Sequence, residues 1–162
     1  MIHAQPRNGG GVGLKAAGVL AQSGVAAAVT GTLSETTLAT IAIPAGAMGP
    51  NGQLRIWTVW STTNSANNKI LRSRIGGTSV QSVTVTASAS EQLYRSLHNR
   101  GATNSQVGFV NFTATPFGTN TSAVDTYALD MSVAQNLTLT GTLANVGETI
   151  TLEAYAVEIL NP

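Results

Sequence analysis

From about Ala26 onward the chain alternates apolar and polar residues in short stretches rich in Val, Ile and Thr that stop at Gly, Asn or Pro. Successive side chains of an extended chain point to opposite faces, so a period of two marks strands. β-Branched residues suit that pleated, half-buried surface. The pattern predicts about ten strands, near 26–32, 36–44, 53–63, 68–76, 79–86, 91–98, 107–113, 123–132, 135–143 and 148–160. Turn residues separate them: Pro44-Ala-Gly46 and Gly49-Pro50-Asn51-Gly52 before the third strand, Gly76-Gly77 before the fifth, Asn145-Val-Gly147 before the last.

The alternation also assigns faces. In the third strand Leu54, Ile56 and Trp60 oppose Arg55, Trp57 and Val59, and in the fourth Leu71 and Ile75 oppose Arg72 and Arg74. The last strand is apolar on both sides: Ile150, Leu152, Ala154 and Ala156 face one way, Tyr155, Val157 and Ile159 the other, which predicts a strand covered twice. Only residues 14–28 resemble a helix, and Gly18 and Gly24 weaken that reading. Eight or more strands in about 135 residues predict an all-β fold, a jelly-roll-like antiparallel β-sandwich over residues 26–162. Residues 1–25, crowded with Gly and poor in large apolar side chains, are expected to form an extended N-terminal arm. Deleting residues 1–22 is expected to leave the domain folded.

Composition changes the picture in one respect. Only 8 basic and 7 acidic residues are present among 162, well below the roughly one quarter that is usual. Thr and Asn, at 22 and 12 copies, supply the polar surface instead. Neutral hydroxyls and amides lose less on desolvation than charges do, so such a surface suits protein contact. The net charge of +1 disfavours nucleic acid and anionic membrane as partners. No stretch reaches the apolar length of a spanning helix, so a soluble protein is expected, and Lys15 to Val29, interrupted by Gln22, Ser23 and Gly24, makes a poor targeting signal.

Chemistry-bearing groups are sparse. Without Cys there is no disulfide or thiolate site, and only His3 and His98 offer an imidazole. No Gly-x-Ser-x-Gly elbow accompanies them. Asp125 with Asp130, and Glu148, Glu153 and Glu158, are spaced by odd steps that put successive members on opposite strand faces. The chain is expected to be no enzyme and to hold no cofactor or metal.

Two groups remain as candidate partner-contact residues. Arg72 and Arg74 share a strand face, with Lys69 adjacent and Arg55 as a further member of a basic patch; a solvated sheet face and a docking surface for an acidic partner both fit it. Trp57 and Trp60, three positions apart, face opposite sides of one strand. At least one is expected in the core, leaving the other for subunit anchoring or for stacking on a sugar ring.

The run AGVLAQSGVAAAVTGTLSETTLATIAI from Ala17 to Ile43, followed by PAGAMGPNGQLRIWTVWSTTNSANNKILRSRIGG, resembles a group of small structural proteins of tailed bacteriophages. Asn99-Arg-Gly-Ala-Thr-Asn-Ser-Gln106 and Gly147-Glu-Thr-Ile-Thr-Leu-Glu-Ala-Tyr155 extend the likeness. The resemblance implies a virion component with a jelly-roll or related sandwich. Two roles go with it: a cement or decoration protein that binds the major capsid protein and itself as a homo-oligomer, or a head or tail fibre module that binds a host-surface glycan. No functional residue of such proteins transfers position by position. Low charge and the arm favour the cement role, in which many weak contacts act together.

Overall fold

The computed structural model describes residues 18–111 and 117–160. Among them lie eleven strands: β1 (Gly18–Ser23), β2 (Ala27–Thr30), β3 (Thr36–Ile43), β4 (Gln53–Thr62), β5 (Lys69–Ile75), β6 (Thr78–Val85), β7 (Ser90–Asn99), β8 (Gln106–Gly108), β9 (Asp125–Tyr127), β10 (Gln135–Leu143) and β11 (Thr149–Leu160). They make two antiparallel sheets, a larger one ordered β1-β11-β4-β7-β8-β9 with β2 also paired to β11, and a smaller one ordered β3-β10-β5-β6. Without β1, β8 and β9 the order is β2-β11-β4-β7 over β3-β10-β5-β6. Along these eight strands the chain changes sheet at every connection but β5–β6, which is the double Greek key of a jelly roll.

The predicted alternation builds the core. Leu54, Ile56 and Trp60 of β4, Leu71 and Ile75 of β5, Leu137 and Leu139 of β10 and Ile150, Leu152 and Val157 of β11 are buried in one cluster that draws on both sheets. Each aliphatic side chain so placed contributes roughly 1.5–3 kcal/mol relative to exposure. Register is fixed locally by turns. Ile75 pairs with Thr78 across Gly76 and Gly77, whose φ values of 55° and 83° meet the double left-handed requirement of a two-residue hairpin loop.

Some of these expectations need correction. Gly18–Ser23, which the sequence places in the arm, is a strand paired along β11 from Ile159 to Tyr155. Deleting residues 1–22 would strip that strand, and residues 1–17 lie outside the described residues. The stretch read as a weak helix is therefore extended where it is described. The strands expected at 107–113 and 123–132 are short, Gln106–Gly108 and Asp125–Tyr127; past the first the Asn111 carbonyl accepts from the Ser82 amide at 2.8 Å, and residues 112–113 lie outside the described residues.

The last strand is not covered on two faces along its length. The β11–β4 register shifts between Leu152 and Ala154, leaving Glu153 as an extra residue. That bulge reverses the parity: Ile150 and Leu152 enter the core before it, Val157 and Ile159 after it. Ala154 and Ala156 consequently face outward.

Candidate functional site

The outer faces of the two sheets differ sharply. On the smaller sheet, cross-strand pairing produces a row Thr40–Thr138–Arg74–Ser79 beside a row Thr37–Thr140–Arg72–Ser82. A third row is Thr142–Ile70–Thr84. Hydroxyls dominate this surface. Glu35, from the loop between β2 and β3, lies over it and receives both Arg74 Nε at 2.7 Å and Arg74 Nη2 at 2.8 Å, a bidentate pair. Arg72 Nη1 stands 3.4 Å from the same carboxylate, and Thr140 donates to it at 2.6 Å. Two guanidinium groups thus share one acid, leaving a surplus positive charge.

Those donors pull the Glu35 carboxyl down from 4.5 to about 2, the Arg74 hydrogen bond contributing most and partial burial opposing it. A carboxyl with a depressed folded-state pKa stabilises fully above its unfolded value and loses that contribution as pH falls through the folded value. Wild type is therefore expected to lose stability between about pH 4.5 and 2 beyond what Glu35→Gln loses, as read by thermal midpoints across that window. The cluster is partly solvated, so the difference should be at most about 1 kcal/mol.

On the larger sheet, a row Gln22–Ala156–Trp57–Tyr94 crosses four strands, flanked by Ala154–Val59–Gln92 on one side and Val19–Glu158–Arg55–Ser96 on the other. Trp57 is half-buried, its ring centroid 4.3 Å from that of Tyr94, and Tyr94 stacks on Phe117 at 5.6 Å. Because β11 carries only methyl groups at Ala154 and Ala156, a depression of about 200 Å³ opens beside Trp57, lined also by Val59, Gln92 and Tyr155. It adjoins a wider hollow at Gln22, Ser23 and Gly24.

The predicted contact residues consequently fall in three places. Arg72 and Arg74 lie on the smaller sheet's outer face, whereas Arg55 and Trp57 lie on the larger sheet's outer face. Arg55 Nη1 is 3.9 Å from Glu158 there. Lys69 belongs to neither and has to be removed from the surface patch. It has the same parity as Leu71 and Ile75, is fully buried, and stands 3.8 Å from Glu148. Glu148 accepts hydrogen bonds from Ser65 and from Asn67 Nδ2, and these hold its carboxyl below the usual carboxylate range against the cost of burial. Trp60 is the core tryptophan.

The remaining candidates are dispersed. His98 is exposed beside the Gln53 amide at 3.1 Å, and burial of part of its ring, then Arg55, lowers its pKa. Asp125 pairs with Arg95 at 3.4 Å, Asp130 accepts from Ser132, and Glu153 accepts from Ser61. Among the described residues no three His, Asp or Glu side chains gather as a metal ion would require, and no helix is long and apolar enough to cross a membrane. Two features of the faces escape the sequence reading. Glu35 reaches the arginines from a loop, and the alanine floor exists only because of the bulge.

No family model and no curated protein matches the chain. Among solved structures it is similar to dimeric latent PorU from Porphyromonas gingivalis, with a TM-score of 0.42 and 15% identity over 94% of this chain and 14% of that one. It is also similar to the CBM2 module of the evolved Dit of Lactobacillus casei BL23 phage J-1, with a TM-score of 0.38 and 12% identity over 76% of this chain and 69% of that one. The chain thus spans only 14% of PorU's length.

Proposed function

We propose that this chain is a non-enzymatic structural protein of a tailed-bacteriophage particle, binding the outside of the capsid as a cement or decoration protein. In this reading it acts as a homo-oligomer and its partner is the major capsid protein. One observation carries it: the outer face of the smaller sheet is a field of Thr and Ser hydroxyls around Arg72 and Arg74, which share the single acid Glu35. Hydroxyls exchange water for partner groups at small desolvation cost, whereas burying unpaired charges costs several kcal/mol, on the order of the whole gain from a modest interface. The arginine left short of a carboxylate is suited to a bidentate pair with an acidic group of the capsid. The phage-like phrases from Ala17 to Ile43 and beyond supply the virion context.

The test has two parts. Labelled copies of the chain on particles of the phage that encodes it are expected over the whole shell; labelling confined to the tail tip would remove the cement reading. Arg72→Glu/Arg74→Glu is expected to reduce occupancy on capsids lacking the protein by at least about tenfold. Unchanged occupancy would detach this face from capsid binding, provided the variant melts as a folded domain.

A further inference from the structure

We propose that the outer face of the larger sheet carries a binding site for a single neutral sugar ring, seated on Ala154 and Ala156 beside the indole of Trp57. The site lies on the face opposite the hydroxyl field, so it goes beyond the capsid-docking reading and neither depends on the other.

Its shape follows from the strand order. Across Gln22–Ala156–Trp57–Tyr94, the alanine sits between a long amide on one side and the indole on the other, and in the next row Ala154 lies beside Val59, with Gln92 one strand further on. The floor is methyl and the walls are large. Tyr94 packs against Trp57 from the side away from β11, and Phe117, 66% exposed, stacks behind Tyr94. The indole is therefore braced from one side while its other side borders the depression.

The chemistry of the lining selects the occupant. A sugar ring presents polarised C–H groups on one face and hydroxyls around its rim. The negative face of an aromatic ring attracts such C–H groups, and burial against it adds apolar contact. Gln92 in the depression and Gln22 in the hollow that adjoins it are exposed amides, each able both to donate and to accept as hydroxyls require, with Ser23 beside Gln22. Among the described residues an anionic ligand finds no free cation here: Arg55, one row away, already faces Glu158, and Glu153 at the bulge would repel it. An aliphatic side chain of a protein would fill the floor but leave the two amides unused. A depression of about 200 Å³ is small beside pockets for extended ligands, which run from roughly 300 Å³ upward, and matches a single ring.

The experiment screens the full chain on a glycan array bearing neutral hexoses, 6-deoxyhexoses and N-acetylhexosamines beside sialylated and uronic-acid glycans. Each hit is then titrated by tryptophan emission. Trp60 is buried, so a ligand at this site perturbs Trp57. Saturable binding of a neutral saccharide is expected, weakened at least about tenfold by Trp57→Ala and likewise by Ala156→Leu, which fills the floor while leaving the indole in place. Absence of any neutral hit, binding restricted to acidic glycans, or affinity that survives both substitutions would overturn the assignment. Loss of sugar binding leaves capsid occupancy untouched, and the Arg72→Glu/Arg74→Glu pair leaves sugar binding untouched, so the two readings fail separately.

Discussion

Lys69→Met should lower the thermal midpoint by about 10 °C, corresponding to 3–5 kcal/mol of stability in a domain of this size. The ammonium is fully buried, donates to the Asn67 carbonyl at 2.8 Å and to Ser65 Oγ at 3.0 Å, and faces Glu148. Methionine matches its length but not its charge. The substitution leaves the Glu148 carboxylate buried without its counter-ion and the Asn67 carbonyl without its donor. The damage should extend beyond the site, because this pair ties the loop after β4 to the turn between β10 and β11. Backbone bonds from Ala144 to Asn68 and from Thr63 to Thr149 depend on the same alignment. Replacing both members, as Lys69→Met/Glu148→Met, should recover part of the loss, since an apolar pair leaves no orphaned charge. Scanning calorimetry of Lys69→Met, Glu148→Met and the double variant checks this. A single variant as stable as wild type, or a double variant worse than the sum of the singles, would show that the pair does not hold the loops.

Trp60→Ala should cost about 3–5 kcal/mol in urea denaturation, whereas Trp57→Ala should cost no more than about 1 kcal/mol. Trp60 is 1% exposed, fills the centre of the core cluster and donates its indole N–H to Thr58 Oγ1 at 2.7 Å. Its removal leaves a large cavity and a buried hydroxyl without its donor. Trp57, three residues away, touches Tyr94 on an open face and has no core to empty. Equal losses from the two substitutions would mean that the outer aromatic row is structural rather than available for contact.

Much of the fold was legible because strand parity and turn chemistry are local. Leu54, Ile56 and Trp60 are inward as their spacing requires, and Gly76-Gly77 makes the hairpin its position implies. The missed strand β1 has a different cause. Its residues are largely small or polar, they form a short ladder with β11, and nothing in Gly18 to Ser23 distinguishes such a strand from a loose arm. Lys69 was legible and misread: the parity set by Leu71 and Ile75 turns it inward, but its charge draws it outward in any reading that lacks Glu148 nearby.

The contact residues were harder to place. Arg55 and Arg72 look alike along the chain, yet they lie on opposite outer faces because β4 and β5 belong to different sheets. That separation is a property of topology, which strand patterns alone do not fix. The Glu153 bulge was also hidden, since a one-residue shift in pairing has no signature in hydropathy. It produced an apparent double face from two single faces of opposite parity.

The pairing of the first strand with the last also sets how the chain enters and leaves the sandwich. Gly18 stands opposite Ile159, so both ends of the described chain reach the same corner of the larger sheet. The chain therefore enters β1 and leaves β11 at one pole of the sandwich, at the end of β11 away from the turn at Gly31 that closes β2.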